Sequence, residues 1–202
     1  MIPVWSCMDF CMPFIGPYLE ECGATNDKIT VGLLFVALAL SYTFSSIMWG
    51  YICGRFRCSR SMMFFGALFS ALCYLFIGPS PWLKLININL SCSILGTTIV
   101  MVVLGISLSA AIIPSCSEMV SVAQDEGCAD QASSFISGLM NSLIFLGEFI
   151  GPALGGLMIM YADGDFALGA SYFSIYCLTI VLLCEYKTWN ALVKYSFDPS
   201  CN

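Results

Sequence analysis

Uncharged apolar runs long enough to cross a bilayer constrain this chain more than anything else in it. The hydrocarbon core of a membrane takes about 20 apolar residues per helix, with a range of roughly 17–25. Residues 29–53 and 93–114 contain no Asp, Glu, Lys or Arg, and residues 132–161 contain only Glu148. Of the 202 residues, 59% are hydrophobic and 10% charged, where ordinary soluble domains carry roughly a quarter charged residues. A soluble fold of this composition lacks the polar surface to cover itself, so its solvent is lipid and neighbouring helices. The expected class is all-α: a polytopic membrane protein of about six transmembrane helices.

Measured by bilayer length, the spans fall at about residues 2–19, 29–53, 61–78, 93–114, 132–161 and 167–185, with a polar tail over 187–202. The first span starts abruptly and carries Asp9, Pro13 and Pro17. It lacks the basic leader and small-residue cleavage site of a signal peptide. Residues 54–60 form a short basic turn. Gly78-Pro79-Ser80-Pro81 ends the third span, because prolines remove backbone donors and disfavour the α region before them. A longer connection then runs through Trp82, Lys84, Asn87 and Asn89. Residues 118–131, with Glu118, Asp125, Glu126 and Asp130, read as a solvated acidic connection, and Asp163-Gly164-Asp165 as a tight turn.

Six spans put both termini on one side. That side receives Arg55, Arg57, Arg60, Lys187 and Lys194; the other receives Lys28 and Lys84. Cytoplasmic loops are enriched in Lys and Arg, so the expected location is a multi-pass membrane protein with both ends cytoplasmic. The sequon Asn89-Leu90-Ser91 falls on the outer side in this arrangement. Trp5, Trp49, Trp82 and Trp189 fall near span ends, as an interfacial aromatic belt requires.

Ionisable groups inside a membrane are costly and mark ion or substrate pathways by default. Glu148, deep in the fifth span, is the first candidate for substrate or proton coupling, and Asp9 the second. Asn141 lies two turns before Glu148 on the same helix face, which makes one polar seam of the two. Glu185 sits near a helix end, where its side chain snorkels. Gly147, Gly151 and Gly155 are four apart, line one face and admit a second helix closely. Pro152 removes an intrahelical hydrogen bond and bends the helix, and Gly156 completes the string.

The run Gly147-Glu148-Phe149-Ile150-Gly151-Pro152-Ala153-Leu154-Gly155-Gly156 resembles the glycine–proline motif of the major facilitator superfamily, above all its proton antiporters. Residues 50–60 look like a degraded copy of that family's loop motif, Gly-x-x-x-Asp-Arg-x-Gly-Arg-Arg. Gly50 and Arg55 match it; Gly54 stands for the usual Asp and Arg57 for the usual Gly, with Arg60 closing the basic cluster. Ala39-Leu40-Ser41-Tyr42 with Ser45-Ser46, Ile77-Gly78-Pro79, and Ile112-Ile113-Pro114 with Glu118 fall in the order seen in vesicular amine transporters, most like the polyamine branch. The resemblance fits the second six-helix half of that fold. Where the family carries carboxylates for proton coupling and cation binding, it aligns Met12, Ser109 and Asn141, so those acids differ in kind here.

The resemblance implies half of a major facilitator fold, whose substrate site lies at the midplane between two halves. Partners then include the lipid bilayer, a small-molecule substrate, protons, and either a missing N-terminal half or a second copy of the chain. The expected function is proton-coupled export or vesicular uptake of an organic cation such as an amine or polyamine. The alternative is a truncated six-span protein that transports nothing and acts by associating with other membrane proteins. An enzyme is not expected: the chain has no His, no Gly-Lys-Ser/Thr loop, and no base beside Ser115 or Ser117. No cofactor or metal is expected, since the 12 Cys lack paired zinc spacing and sit mostly in apolar runs as small hydrophobes. Nucleic acid is excluded as a partner by the absence of a basic stripe.

Overall fold

A computed structural model of the chain describes residues 9–10, 12–24, 27–56, 59–77, 93–125 and 129–196. Among them the principal elements are six helices: α1 (Ile15–Glu21), α2 (Lys28–Phe56), α3 (Ser59–Phe76), α4 (Ile94–Asp125), α5 (Ala129–Tyr161) and α6 (Phe166–Ser196). All but α1 contain a stretch long and apolar enough to cross a membrane, with mean hydropathy between 1.3 and 2.3. The chain is therefore an all-α, multi-pass membrane protein.

The opening segment differs from a plain span. Residues 1–8 and 11, with Trp5 and Cys7, lie outside the described residues. A turn at residues 12–14 leads into α1, which is only 7 residues long. Pro13 stands in the turn. Pro17 stands in the first turn of α1, where a missing N–H leaves nothing unpaired, because the first amides of a helix have no intrahelical acceptor. The Gly23 and Ala24 amides close the other end on the Glu20 and Leu19 carbonyls, each at 3.0 Å.

Two later helices run further than their apolar stretches. α4 continues through Pro114 to Asp125 and α5 starts at Ala129, so most of the connection expected over 118–131 is helical. Proline keeps a helical φ, and Pro114 is fully buried, so packing offsets its lost hydrogen bond. α6 stays helical to Ser196, into the stretch expected as a tail. The connection after Ile77, with Gly78-Pro79-Ser80-Pro81, Trp82, Lys84 and the Asn89 sequon, lies outside the described residues, as do the side chains of Asp125, Glu126, Asp130, Glu185, Lys187, Trp189 and Lys194.

α4 is the axis of the bundle. Of its most apolar stretch 61% is buried, against 17% for α2 and for α5. It packs along α2 and α3; α3 also packs on α6, and α6 on α5. Between helices in lipid the driving force is close packing and hydrogen bonding, which favours small residues at the contact. Accordingly, a Cβ on Gly66 of α3 would stand 2.5 Å from the Ala111 amide of α4. A Cβ on Gly105 of α4 would meet the Ser41 hydroxyl and lie 2.7 Å from the Leu38 carbonyl of α2. Ser45 and Ser109 join α2 to α4 by a buried 2.6 Å hydrogen bond, and Ser174 of α6 donates to the Ala71 carbonyl of α3 at 2.6 Å.

Beside that bond, one turn along the α3–α6 contact, lies an aromatic cluster. Phe10 stacks on Phe173 with ring centroids 4.2 Å apart and meets the edge of Tyr74 at 5.6 Å. Phe166 and Phe14 complete it. The opening segment is thus anchored by rings rather than by a long helix–helix seam.

Candidate functional site

The glycine string of α5 decides where the opening segment sits. Gly147, Gly151 and Gly155 are all buried, forming one stripe along the helix. A Cβ on Gly155 would lie 2.8 Å from the Phe14 ring and 2.9 Å from that of Phe10. Only a residue without a side chain lets those rings come so near, and Phe10 is the neighbour of Asp9. The string therefore receives aromatic rings at Gly155, where the spacing alone suggested a second helix. Gly156 faces the Phe14 ring more loosely, at 3.8 Å.

This packing brings together the two acids that the sequence marks. The Glu148 and Asp9 carboxylates stand within electrostatic reach of each other. Asp9 is half-buried, and its Oδ2 is buried without a hydrogen-bond partner. Glu148 is exposed on the surface of the bundle, on the same side of α5 as the exposed Asn141. Pro152, half-buried inside α5, lacks the amide that would bond to the Glu148 carbonyl one turn earlier. The level of Glu148 thus offers a carboxylate and a backbone oxygen without its helical donor, with the carboxylate of Asp9 within electrostatic reach. Such a set suits a proton or a cation, since burying acids unpaired is costly.

The three positions aligned with the family's acids diverge. Met12 is exposed, Asn141 belongs to the outer face of α5, and Ser109 is fully buried in its bond to Ser45. Ser109 is therefore part of the α2–α4 contact. Among the described residues no group of three or more His, Cys, Asp or Glu side chains is arranged to hold a metal ion. Cys53, Cys73 and Cys177 are buried thiols, none of them in a disulfide.

Of the loop motif, Gly50 and Arg55 are near the end of α2, Arg55 and Gly50 both exposed, and Arg57 lies outside the described residues. Arg60, at the start of α3, pairs through Nε with Glu118 Oε1 of α4 at 3.3 Å. Reading 118–131 as a solvated connection missed Glu118 as that partner. The signal was available: in antiparallel α3 and α4, the start of one and the end of the other share a side.

Over 161 residues, 78% of its length, the chain is 35% identical to the MFS-type transporter SLC18B1 of Mus musculus and covers 34% of that protein. The protein of the same name from Rattus norvegicus is 33% identical over 161 residues, and that from Homo sapiens 34% identical over 154. The chain thus spans about a third of the length of the curated relatives it matches. No family model and no solved structure matches it. The superfamily in the relatives' name is the one that the loop and glycine–proline motifs resemble.

Proposed function

Because the chain is a relative of the MFS-type transporters, we propose that it supplies the C-terminal six-helix half of a proton-coupled carrier for a small organic cation, such as an amine or polyamine. What supports this reading is that Asp9, next to the Phe10 ring that packs on Gly155, lies within electrostatic reach of Glu148 on the same helix as that glycine. Two like charges in a helical wall are eased by a shared proton or by a cation between them. Asn141 extends the same polar seam, and Pro152 gives α5 a bend at the level of the acid. In this reading Gly147, Gly151, Pro152, Gly155 and Gly156 let α5 rock against the opening segment, while Gly50, Arg55, Arg57 and Arg60 stand on the cytoplasmic side with both termini. The outer faces of α2 and α5 await the N-terminal half or a second copy, with the substrate between them.

The test is uptake of a labelled polyamine into proteoliposomes under an imposed proton gradient. The chain is assayed with the N-terminal half of a relative co-reconstituted, and also alone. Glu148→Gln is expected to abolish gradient-driven uptake, and Asp9→Asn to reduce it at least tenfold. Full uptake by Glu148→Gln would remove that residue from the mechanism.

A second reading is favoured by the small buried share of α2 and α5. The chain then transports nothing and acts by associating through those faces with other membrane proteins. Oligomers that survive both acid substitutions, with no uptake in any combination of halves, are its expected signature.

A further inference from the structure

One line along α5 changes character at its middle. Seven residues make almost two helical turns, so positions seven apart lie nearly in line. Ser134, Asn141, Glu148 and Gly155 are spaced in this way. The first three are exposed on the bundle, and Gly155 is buried. The Phe14 and Phe10 rings bury it, and a Cβ there would come within 2.8 and 2.9 Å of them. Phe10 is itself fully buried and stacked on Phe173 of α6. The line is therefore open and polar from Ser134 to Glu148, and closed by rings one step beyond.

The open part is unmatched within the bundle. Neither Asn141 nor Glu148 makes a hydrogen bond or an ion pair through its side chain with another described residue. Beside them, Gly138 has nothing within 4 Å of where a Cβ would stand. Hydrocarbon offers an amide or a carboxylate no hydrogen-bond partner, so burying either in lipid is costly. Water meets the need. At a rise of about 1.5 Å per residue, neighbours on the line stand about 10 Å apart, so water and not side-chain contact joins them. α5 begins close to where α4 ends, so the Ser134 end of the line lies on the side of Arg60 and Glu118.

We propose that Ser134 and Asn141 line a water-filled lane by which Glu148 exchanges a proton or a cation with the arginine-bearing side alone, the Phe10 and Phe14 rings on Gly155 closing the opposite side. What passes along the lane rests on the role proposed above for Glu148; the lane and its closure are tested without transport.

The experiment is labelling of the full chain by a charged, membrane-impermeant methanethiosulfonate in sealed vesicles of either orientation, with each cysteine read separately by peptide mass spectrometry. The exposed native Cys22 and Cys116 lie on opposite sides of the membrane and report which face the reagent meets. Asn141→Cys and Glu148→Cys are expected to react about tenfold faster or more from the Cys116 side, since an ion crossing an apolar layer loses at least that factor. Phe149→Cys, exposed but turned further round α5, is expected to stay unlabelled. Adding Phe14→Ala, or Phe10→Ala with it, is expected to open Glu148→Cys to reagent from the Cys22 side. Far-ultraviolet circular dichroism of each variant checks that the helices are intact. Labelling of Asn141→Cys no faster than that of Phe149→Cys, or equal from both sides, would overturn the proposal. So would closure that persists in folded protein lacking both rings. One-sided labelling without any uptake would keep the lane and sink the transport reading; uptake without labelling would do the reverse.

Discussion

Two parts of this bundle use small residues at four-residue spacing, and they do different things with them. Along the α2–α4 contact, Ser41 and Ser45 face Gly105 and Ser109, and two backbones come nearly as close as atoms allow. Along α5, Gly147, Gly151 and Gly155 form a stripe that at Gly155 takes the rings of Phe10 and Phe14 from a short opening segment. The first contact is continuous, backbone against backbone, and tied by a buried hydrogen bond. The second is a socket for side chains whose torsions can turn. The same spacing yields a fixed seam or an exchangeable one according to what stands opposite. The candidate acids lie beside the exchangeable one.

The largest effect that separates the two is expected from Gly105→Leu, or Gly66→Leu at the neighbouring α3–α4 contact. Either side chain would need to enter backbone, so the loss should reach about 3 kcal/mol or prevent folding. Thermal unfolding in detergent measures it, and an unchanged midpoint would mean the helices lie further apart than these contacts require. Gly155→Val should cost less, about 1–2 kcal/mol, because rings can swing aside. Its sharper signature is geometric: the distance between spin labels on the exposed positions Met12→Cys and Phe149→Cys should lengthen. Adding Phe14→Ala should restore part of it. If the distance holds, the stripe does not position the acid-bearing segment.

Smaller effects refine the seam. Ser109→Ala is expected to cost about 0.6 kcal/mol, the average for hydrogen bonds between membrane helices. Ser45 keeps its bonds to the Ser41 and Tyr42 carbonyls, which holds the loss down. Smallest of all, Glu118→Gln should change stability by less than about 1 kcal/mol, since its pair with Arg60 is solvent-exposed. Repeating that measurement at high salt should remove what difference there is.

The helices themselves were legible because apolar length is a local property. Residues 29–53 and 93–114 announce membrane helices without reference to anything else in the chain. Helix ends were less legible, since a helix stops where its backbone hydrogen bonds stop and not where hydrophobicity does. α4 therefore passes both Pro114 and Glu118. The acids were legible one at a time, because a charge inside an apolar run stands out. Their meeting was not, because it depends on two phenylalanine rings lodging against one glycine over a hundred residues away. The Ser41, Ser45, Gly105 and Ser109 contact was also missed. Four small residues dispersed over two helices give a weaker pattern than three glycines in one, although they make the tighter joint.

Only residues 162–165 separate α5 from α6. Asp163 turns there with φ 55°, the Gly164 amide returns to the Ile159 carbonyl at 3.0 Å, and Asp165 accepts the Ala167 amide at 2.9 Å. So short a link leaves neither helix free to enter the bilayer before the other. During synthesis the pair must insert as one hairpin, with Asp163 and Asp165 at the tip. The candidate acid Glu148 therefore crosses into the membrane in company with α6, which shields part of the helix that carries it from the moment of insertion.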